Sequence, residues 1–147
     1  MKAIKLTIIL LLYLLPSLAF AGTAHYVDCS AGKNGNGSYA SPWNNIYSVN
    51  IHSFSTGDDL YLKVNTTCTL SVKFTIDWDG SSGDQVIIGA YYGNGQFGLN
   101  GNSRPIIDGG NTILSNNNPL VGSNNETYTT IKNLKDKMQK VNELSTD

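Results

Sequence analysis

The sequence predicts an all-β chain that winds in one direction, and three observations carry that expectation. In residues 68–78, Cys68, Leu70, Val72, Phe74, Ile76 and Trp78 alternate without a miss against Thr69, Ser71, Lys73, Thr75 and Asp77. That period of two marks a strand with one buried and one wet face. The turn-rich Asp79-Gly80-Ser81-Ser82-Gly83-Asp84 follows, and then further short apolar runs separated by Gly and Asn clusters. The apolar centres Ile88, Ile107 and Ile131 lie roughly 20 residues apart, the repeat expected when each unit adds one coil to a solenoid. A hairpin meander would return at shorter, more even intervals.

Residues 1–21 carry Lys2 and Lys5, an apolar stretch over 6–15, the helix-breaking Pro16 and the small-residue pattern Ala19-Phe20-Ala21. This is the anatomy of a secretory signal peptide cleaved before Gly22. The apolar run is about half of the roughly 20 residues that a membrane-spanning helix needs. The chain is therefore expected to be secreted, periplasmic or held at the cell surface, with no stable membrane insertion after cleavage. Its formal net charge is −1. No basic patch points to nucleic acid, and no like-charge run points to a membrane-surface arm.

Cys29 and Cys68 are the only cysteines, and an oxidising compartment favours a disulfide between them, with two buried free thiols as the alternative. With His25 and His52 as the only histidines, a four-ligand zinc site lacks the usual close ligand spacing.

Along the exported part, Tyr26-Val27 gives a short alternation, and 32–38 is Gly-, Asn- and Ser-rich turn sequence. Ser41-Pro42 reads as a helix start, with Ser41 as N-cap and Pro42 at the first helical position. Trp43, Ile46, Tyr47, Val49 and Ile51 then fall near a helical stripe that ends before Ser55-Thr56-Gly57. Leu60, Leu62 and Val64 share one face of a second strand, turned by Asn65-Thr66-Thr67 into the long one. Val86-Ile87-Ile88 is a continuous apolar run of the kind a strand buried on an inner face shows. Residues 91–103 read as loop, and the pattern restarts at 104–110 and at 128–134. In the tail 135–147, preceded by Leu134, the residues Met138, Val141 and Leu144 continue a helical spacing with charges between them.

Several of these words together resemble the amino-terminal region of secreted right-handed parallel β-helix proteins, the pectate-lyase-like group that includes polysaccharide lyases. The words are Tyr26-Val27-Asp28, Ser41-Pro42-Trp43 with its helix, the stretch 54–63 around Thr56-Gly57-Asp58-Asp59-Leu60, the stretch 80–91 around Val86-Ile87-Ile88-Gly89-Ala90, and Arg104-Pro105-Ile106-Ile107-Asp108-Gly109. The resemblance covers roughly residues 25–134. It implies a right-handed parallel β-helix whose opening helix caps the coil, with the first rungs in 22–134. Trp43, Ile46 and Tyr47 are then the residues expected to seal the first rung. Such a cap makes physical sense, because a solenoid exposes open backbone edges at its ends. Members of the group usually run on for many more rungs. The tail 135–147 is accordingly expected to be either a terminal capping helix or out-of-family sequence after a truncation, with truncation favoured because three or so rungs bury little.

Polysaccharide lyases of this shape need a base and a cation on central or later rungs, positions this chain does not contain, so no catalytic residue and no cofactor is carried over. Asp77 and Asp79 should point outward from the strand, about 7 Å apart, a separation inverting glycosidases use; a solvated turn entry explains them better. With Asp84 they form an oxygen set around a Gly-rich turn that is a weak calcium candidate without EF-hand spacing. Tyr91, Tyr92 and Phe97 are candidates for an aromatic platform against a sugar ring. The expected function is that of an amino-terminal fragment of an exported polysaccharide-active β-helix protein without catalytic activity of its own. The alternative is a non-catalytic carbohydrate-binding or structural cell-surface module, since one scaffold hosts many functions.

Overall fold

Alternation of apolar and polar residues is the local rule that builds the structure, because successive side chains of a strand point to opposite faces. The computed structural model of the chain describes residues 22–110, 120–123 and 126–137. The expected leader 1–21 and the distal tail 138–147 lie outside the described residues. Ten short strands and one helix of five residues make up the described secondary structure: β1 Ala24–Val27, α1 Ile46–Asn50, β2 Asp59–Lys63, β3 Thr67–Thr69, β4 Phe74–Ile76, β5 Val86–Tyr92, β6 Gln96–Phe97, β7 Ile106–Asp108, β8 Val121–Ser123, β9 Thr129–Ile131 and β10 Lys135–Lys137. Among the described residues the regular secondary structure is nearly all strand, with one short helix, as an all-β reading requires.

Nearly all strand pairing is parallel. One sheet joins β1, β2, β5 and β9 in parallel, with β6 antiparallel to β5; a second joins β3, β7 and β10; a third joins β4 and β8. From β2 onward the chain visits the first, second and third sheets in turn, returns to the first at β5, and repeats the order through β7, β8, β9 and β10. Parallel neighbours stack like positions over like. Val27, Leu62 and Ala90 are in register, with exposures of 0%, 0% and 2%. His25, Leu60, Ile88 and Ile131 form the adjacent inner row. Cys68 lies over Ile107, and Phe74 over Val121. Leu60, Leu62, Phe74, Ile76, Ile88 and Ile107 are fully buried, each stabilising the fold by about 1.5–3 kcal/mol relative to exposure.

The run 68–78 is two strands and not one. Cys68, Leu70, Phe74, Ile76 and Trp78 keep the inward face, but Val72 is 39% exposed at a corner. Leu70 N–H donates to Asp108 O at 2.7 Å and Phe74 N–H to Leu120 O at 3.0 Å, so the backbone leaves the partners of one sheet for those of another between them. A chain that passes from one sheet to another needs that corner, and alternation alone does not reveal it. At the preceding corner Asn65 has φ 59°, a left-handed conformation that Asn tolerates. Thr66 fixes the turn by donating Oγ1–H to Lys63 O at 2.8 Å.

The helix also begins later than Ser41-Pro42 suggests. Trp43 N–H donates to Tyr26 O at 3.0 Å, and Asp28 N–H donates to Trp43 O at 2.8 Å. Residues 41–43 are therefore held against the edge of β1, and Asn45 becomes the N-cap, its side chain accepting from Ser48 N–H at 2.8 Å. Ile46 and Val49 are buried, but Tyr47 is 56% exposed and Ile51 64% exposed. Trp43 and Ile46 thus pack as expected, whereas Tyr47 faces outward on α1. Asn50 pins the helix to β4, donating to Lys73 O at 2.6 Å and accepting from Thr75 N–H at 3.1 Å.

Two further segments differ from expectation. Tyr91 and Tyr92 end β5, which turns at Gly93–Gly95 into β6, so the expected loop 91–103 opens with an antiparallel hairpin. Residues 135–137, expected to open a helical tail, form β10 parallel to β7; the rest of that expectation falls on 138–147. No helix among the described residues is long and apolar enough to cross a membrane.

Cys29 and Cys68 form a disulfide, with Cα atoms 5.2 Å apart and a sequence separation of 39. It ties the segment after β1 to β3 and closes a loop that contains α1. For a loop of this length the chain-entropy relation gives about 4 kcal/mol. The double variant Cys29→Ser/Cys68→Ser is expected to lose stability of that order in urea unfolding, read as a lower midpoint with a higher m-value, because the denatured chain without the crosslink exposes more surface.

Candidate functional site

The outward face of the first sheet carries an aromatic stripe that follows from register. Opposite the inner row Val27–Leu62–Ala90, Tyr26 and Tyr61 pair side by side with Gly89 as the next position. The ring centroids of Tyr26 and Tyr61 are 6.1 Å apart; Tyr91 lies 5.1 Å from Tyr26, and Tyr39 from the Gly-rich loop lies 5.4 Å from Tyr26. Phe97 of β6 stacks on Tyr61 at 4.0 Å and 21°. The hairpin therefore folds back over the sheet, and Tyr39 helps hold it by donating its hydroxyl to Gly93 O at 2.9 Å. Tyr61 and Tyr91 are buried beneath this layer, while Tyr39 is 44% and Phe97 56% exposed.

Polar side chains frame the stripe. Lys63 Nζ donates to Asp28 Oδ2 at 2.6 Å, and Asp28 Oδ1 accepts from Ser30 N–H at 3.0 Å. Burial works to raise the Asp28 pKa, but the hydrogen bonds from Lys63 and Ser30 outweigh it and hold the carboxyl below its ordinary value. Tyr61 donates its hydroxyl to Asp59 Oδ2 at 2.8 Å, and Asp59 Oδ1 accepts from Ile87 N–H at 2.6 Å, so one carboxylate joins β2 to β5. Burial, reinforced by the bond to Asp59, raises the Tyr61 phenol; burial and the charge of Asp28 raise Tyr91; burial and Tyr39 raise Tyr26. These phenols stay protonated near neutral pH and act as rings and hydroxyls, not as bases. Beside Phe97 a groove of ≈ 260 Å³ is lined by Tyr61, Ile87, Lys132 and Asn133 among others.

The residues singled out in the sequence are distributed differently. Of the aromatic candidates, Phe97 presents an open face, Tyr92 is half-buried at the hairpin, and Tyr91 is buried and offers no platform. Asp77 and Asp79 do point outward beside the buried Trp78. Asp79 Oδ1 accepts from Thr127 N–H at 2.6 Å, and Asp84 Oδ2 accepts from Gly22 N–H at 2.8 Å. The Asp84 carboxylate also occupies the space where a Cβ on Gly57 would sit, at a position with φ +84°. Asp79 and Asp84 thus hold separate pieces of backbone, and among the described residues no group of three or more His, Cys, Asp and Glu is placed to hold a metal ion. Sequence reading passed over Tyr26 and Tyr61, although both alternate with inward residues. Tyr39 sits in turn sequence and gives no such signal.

No family model matches the chain, and no curated protein matches it either. A crystal structure of native GH136 lacto-N-biosidase from Eubacterium ramulus is similar in fold, with a TM-score of 0.59 and 19% identity. The match covers 78% of this chain and 20% of that one, so the chain spans about a fifth of that protein's length. The likeness is one of fold.

Tyr61→Phe keeps the stacked ring and loses one hydrogen bond, and is expected to cost about 1 kcal/mol. Asp59→Ala removes the acceptor of both Tyr61 O–H and Ile87 N–H and is expected to cost about 2–3 kcal/mol. Denaturant midpoints of the two variants check that order.

Proposed function

We propose that this chain forms the amino-terminal cap and first coils of an exported, polysaccharide-active right-handed parallel β-helix protein, and that it binds sugar without itself performing a reaction. The observation that carries the reading is the fixed order in which the chain revisits three parallel sheets, with inner side chains stacked in register at each return. The fold likeness to part of a lacto-N-biosidase supports a carbohydrate-related role, and the Cys29–Cys68 disulfide supports export. Phe97 and Tyr39 are the platform: the exposed Phe97 ring, stacked on the buried Tyr61, suits the apolar face of a pyranose, and the exposed Tyr39, set edge-on to Tyr26 and Tyr91, and the hydroxyls and charges around them suit its edges.

Titration calorimetry of the purified chain against neutral hexose, N-acetylhexosamine and uronate oligosaccharides tests this. One class is expected to bind without release of new reducing ends. Phe97→Ala should weaken that binding at least about tenfold, equivalent to ~1.4 kcal/mol, while Tyr91→Phe leaves it unchanged. Absence of binding to all three classes would sink the reading.

A further inference from the structure

Each parallel sheet starts with one strand at the same end of the stack: β1 in the first, β3 in the second and β4 in the third. Two of these outer edges are covered. The loop 35–43 lies along β1, with Tyr26 N–H donating to Gly37 O at 2.8 Å and Trp43 N–H donating to Tyr26 O at 3.0 Å. Asn50 of α1 covers β4 through its bonds to Lys73 O and Thr75 N–H. The edge of β3 has no such cover among the described residues. Thr66 O accepts from Ile106 N–H at 2.9 Å, and Leu70 N–H donates to Asp108 O at 2.7 Å, so these positions face β7. Alternate residues of a parallel strand bond opposite neighbours, and Thr67 and Thr69 therefore turn their N–H and C=O groups away from β7. Both residues are exposed, and among the described residues nothing bonds those groups. Such a row is a template for one more strand.

Beside this edge lies a trough of ≈ 290 Å³, with Asn45, Ile46 and Tyr47 on one side and residues 69–72 on the other. Its deep part is apolar, since Ile46 and Leu70 are each 3% exposed, and its rims are the exposed Tyr47 and Val72. Tyr47, which does not seal the first coil, is the wall of this trough. No lining residue is charged, α1 carries no charge, and the ammonium of Lys73, next in the chain, lies over Gly122. An ionised side chain placed here would shed water without gaining a partner, so the lining matches an uncharged occupant. Because Tyr47 and the start of α1 wall the far side, the trough admits a single strand and not the flat edge of another sheet. Free N–H and C=O groups that recur every second residue, about 7 Å apart, match a polypeptide backbone in kind and in period.

We propose that the trough beside β3 is a docking site for an extended, uncharged peptide segment of another protein, which joins the second sheet as an added strand. Its backbone bonds the N–H and C=O groups of Thr67 and Thr69. Side chains at alternate positions lie on Ile46 and Leu70 between Tyr47 and Val72, and those between them face water. The segment holds the place on one side of β3 that β7 holds on the other. The site belongs to the second sheet, whereas the Phe97 ring lies over the first, and the inference does not rest on sugar binding.

The probe is a fluorescein-labelled, amidated peptide of alternating Thr and Val, six residues long, titrated with the purified chain by anisotropy. It is expected to bind saturably with a Kd below about 1 mM, and the same peptide with Lys at its central Val is expected not to bind. In the free chain the Thr67 and Thr69 amides should exchange with solvent at least about tenfold faster than those of Cys68 and Leu70. Saturating peptide should slow Thr67 and Thr69 about tenfold and leave Cys68 and Leu70 unchanged. Thr69→Pro removes an edge N–H that no residue of the chain uses, at a position where a strand tolerates proline, and should abolish binding. Tyr47→Ala should weaken it at least about fivefold, a loss of roughly the size that an exposed aromatic contact gives. No binding up to about 1 mM, equal binding of the Lys peptide, or binding that leaves Thr67 and Thr69 exchange unaltered would overturn the proposal. Slow exchange at both amides in the free chain with a dimer in sedimentation would overturn it in favour of a second copy, and protection of them by an oligosaccharide but not by the peptide in favour of a sugar. Should Thr69→Pro fail to fold, Tyr47→Ala and the wild-type exchange data decide the matter.

Discussion

Register between parallel strands is the constraint from which everything else in this molecule follows. Once Val27, Leu62 and Ala90 stack in one inner row and His25, Leu60 and Ile88 in the next, period-two geometry sends Tyr26, Tyr61 and Gly89 outward as a set. Slipping one strand by a single residue would exchange the two sets, placing Tyr61 in the core and Leu62 in water. The aromatic face is thus a by-product of core stacking, and its spacing is that of the hydrogen-bonded strands beneath it.

The two sides of the first sheet are finished differently. On the β1 side, Tyr26 N–H donates to Gly37 O at 2.8 Å, and Trp43 pairs with Val27, so the loop 35–43 occupies an edge that would otherwise be free to pair. Gly37 permits the approach: its φ is +84°, and the Trp43 ring lies where a Cβ would project. At the far side Ile131 occupies the same inner row as Leu60 and Ile88, yet it is 49% exposed where they are fully buried. Burial in this sheet comes from a neighbouring strand on each side, so a row position is only as dry as the strand next to it.

Much of the architecture was legible because it rests on local pattern. Leu60, Leu62, Val86 and Ile88 announced inward strand positions, and the Gly- and Asn-rich stretches announced turns. The corner at 70–73 was not legible, since Val72 obeys the alternation and is turned out only because the backbone changes partners between Asp108 and Leu120. The helix start was misplaced for a related reason: Ser41-Pro42 is a sound local signal overridden by Trp43 pairing with β1. The site was less legible still. Phe97 was visible as an aromatic in a turn-rich segment, but the Asp28–Lys63 pair joins residues far apart in sequence, and only the folded chain brings them together.

The disulfide has a consequence for how this chain withstands a break in its backbone. The stretch 30–41 is rich in Gly, Asn and Ser and mostly exposed, the kind of segment where proteases cut. It lies inside the loop closed by Cys29 and Cys68. A cut there severs the backbone, yet the piece bearing β1 stays covalently joined to β3 and seated beside β2. Damage in this exposed loop is thereby converted from loss of a segment into a nick, and β1 can remain in place on the first sheet.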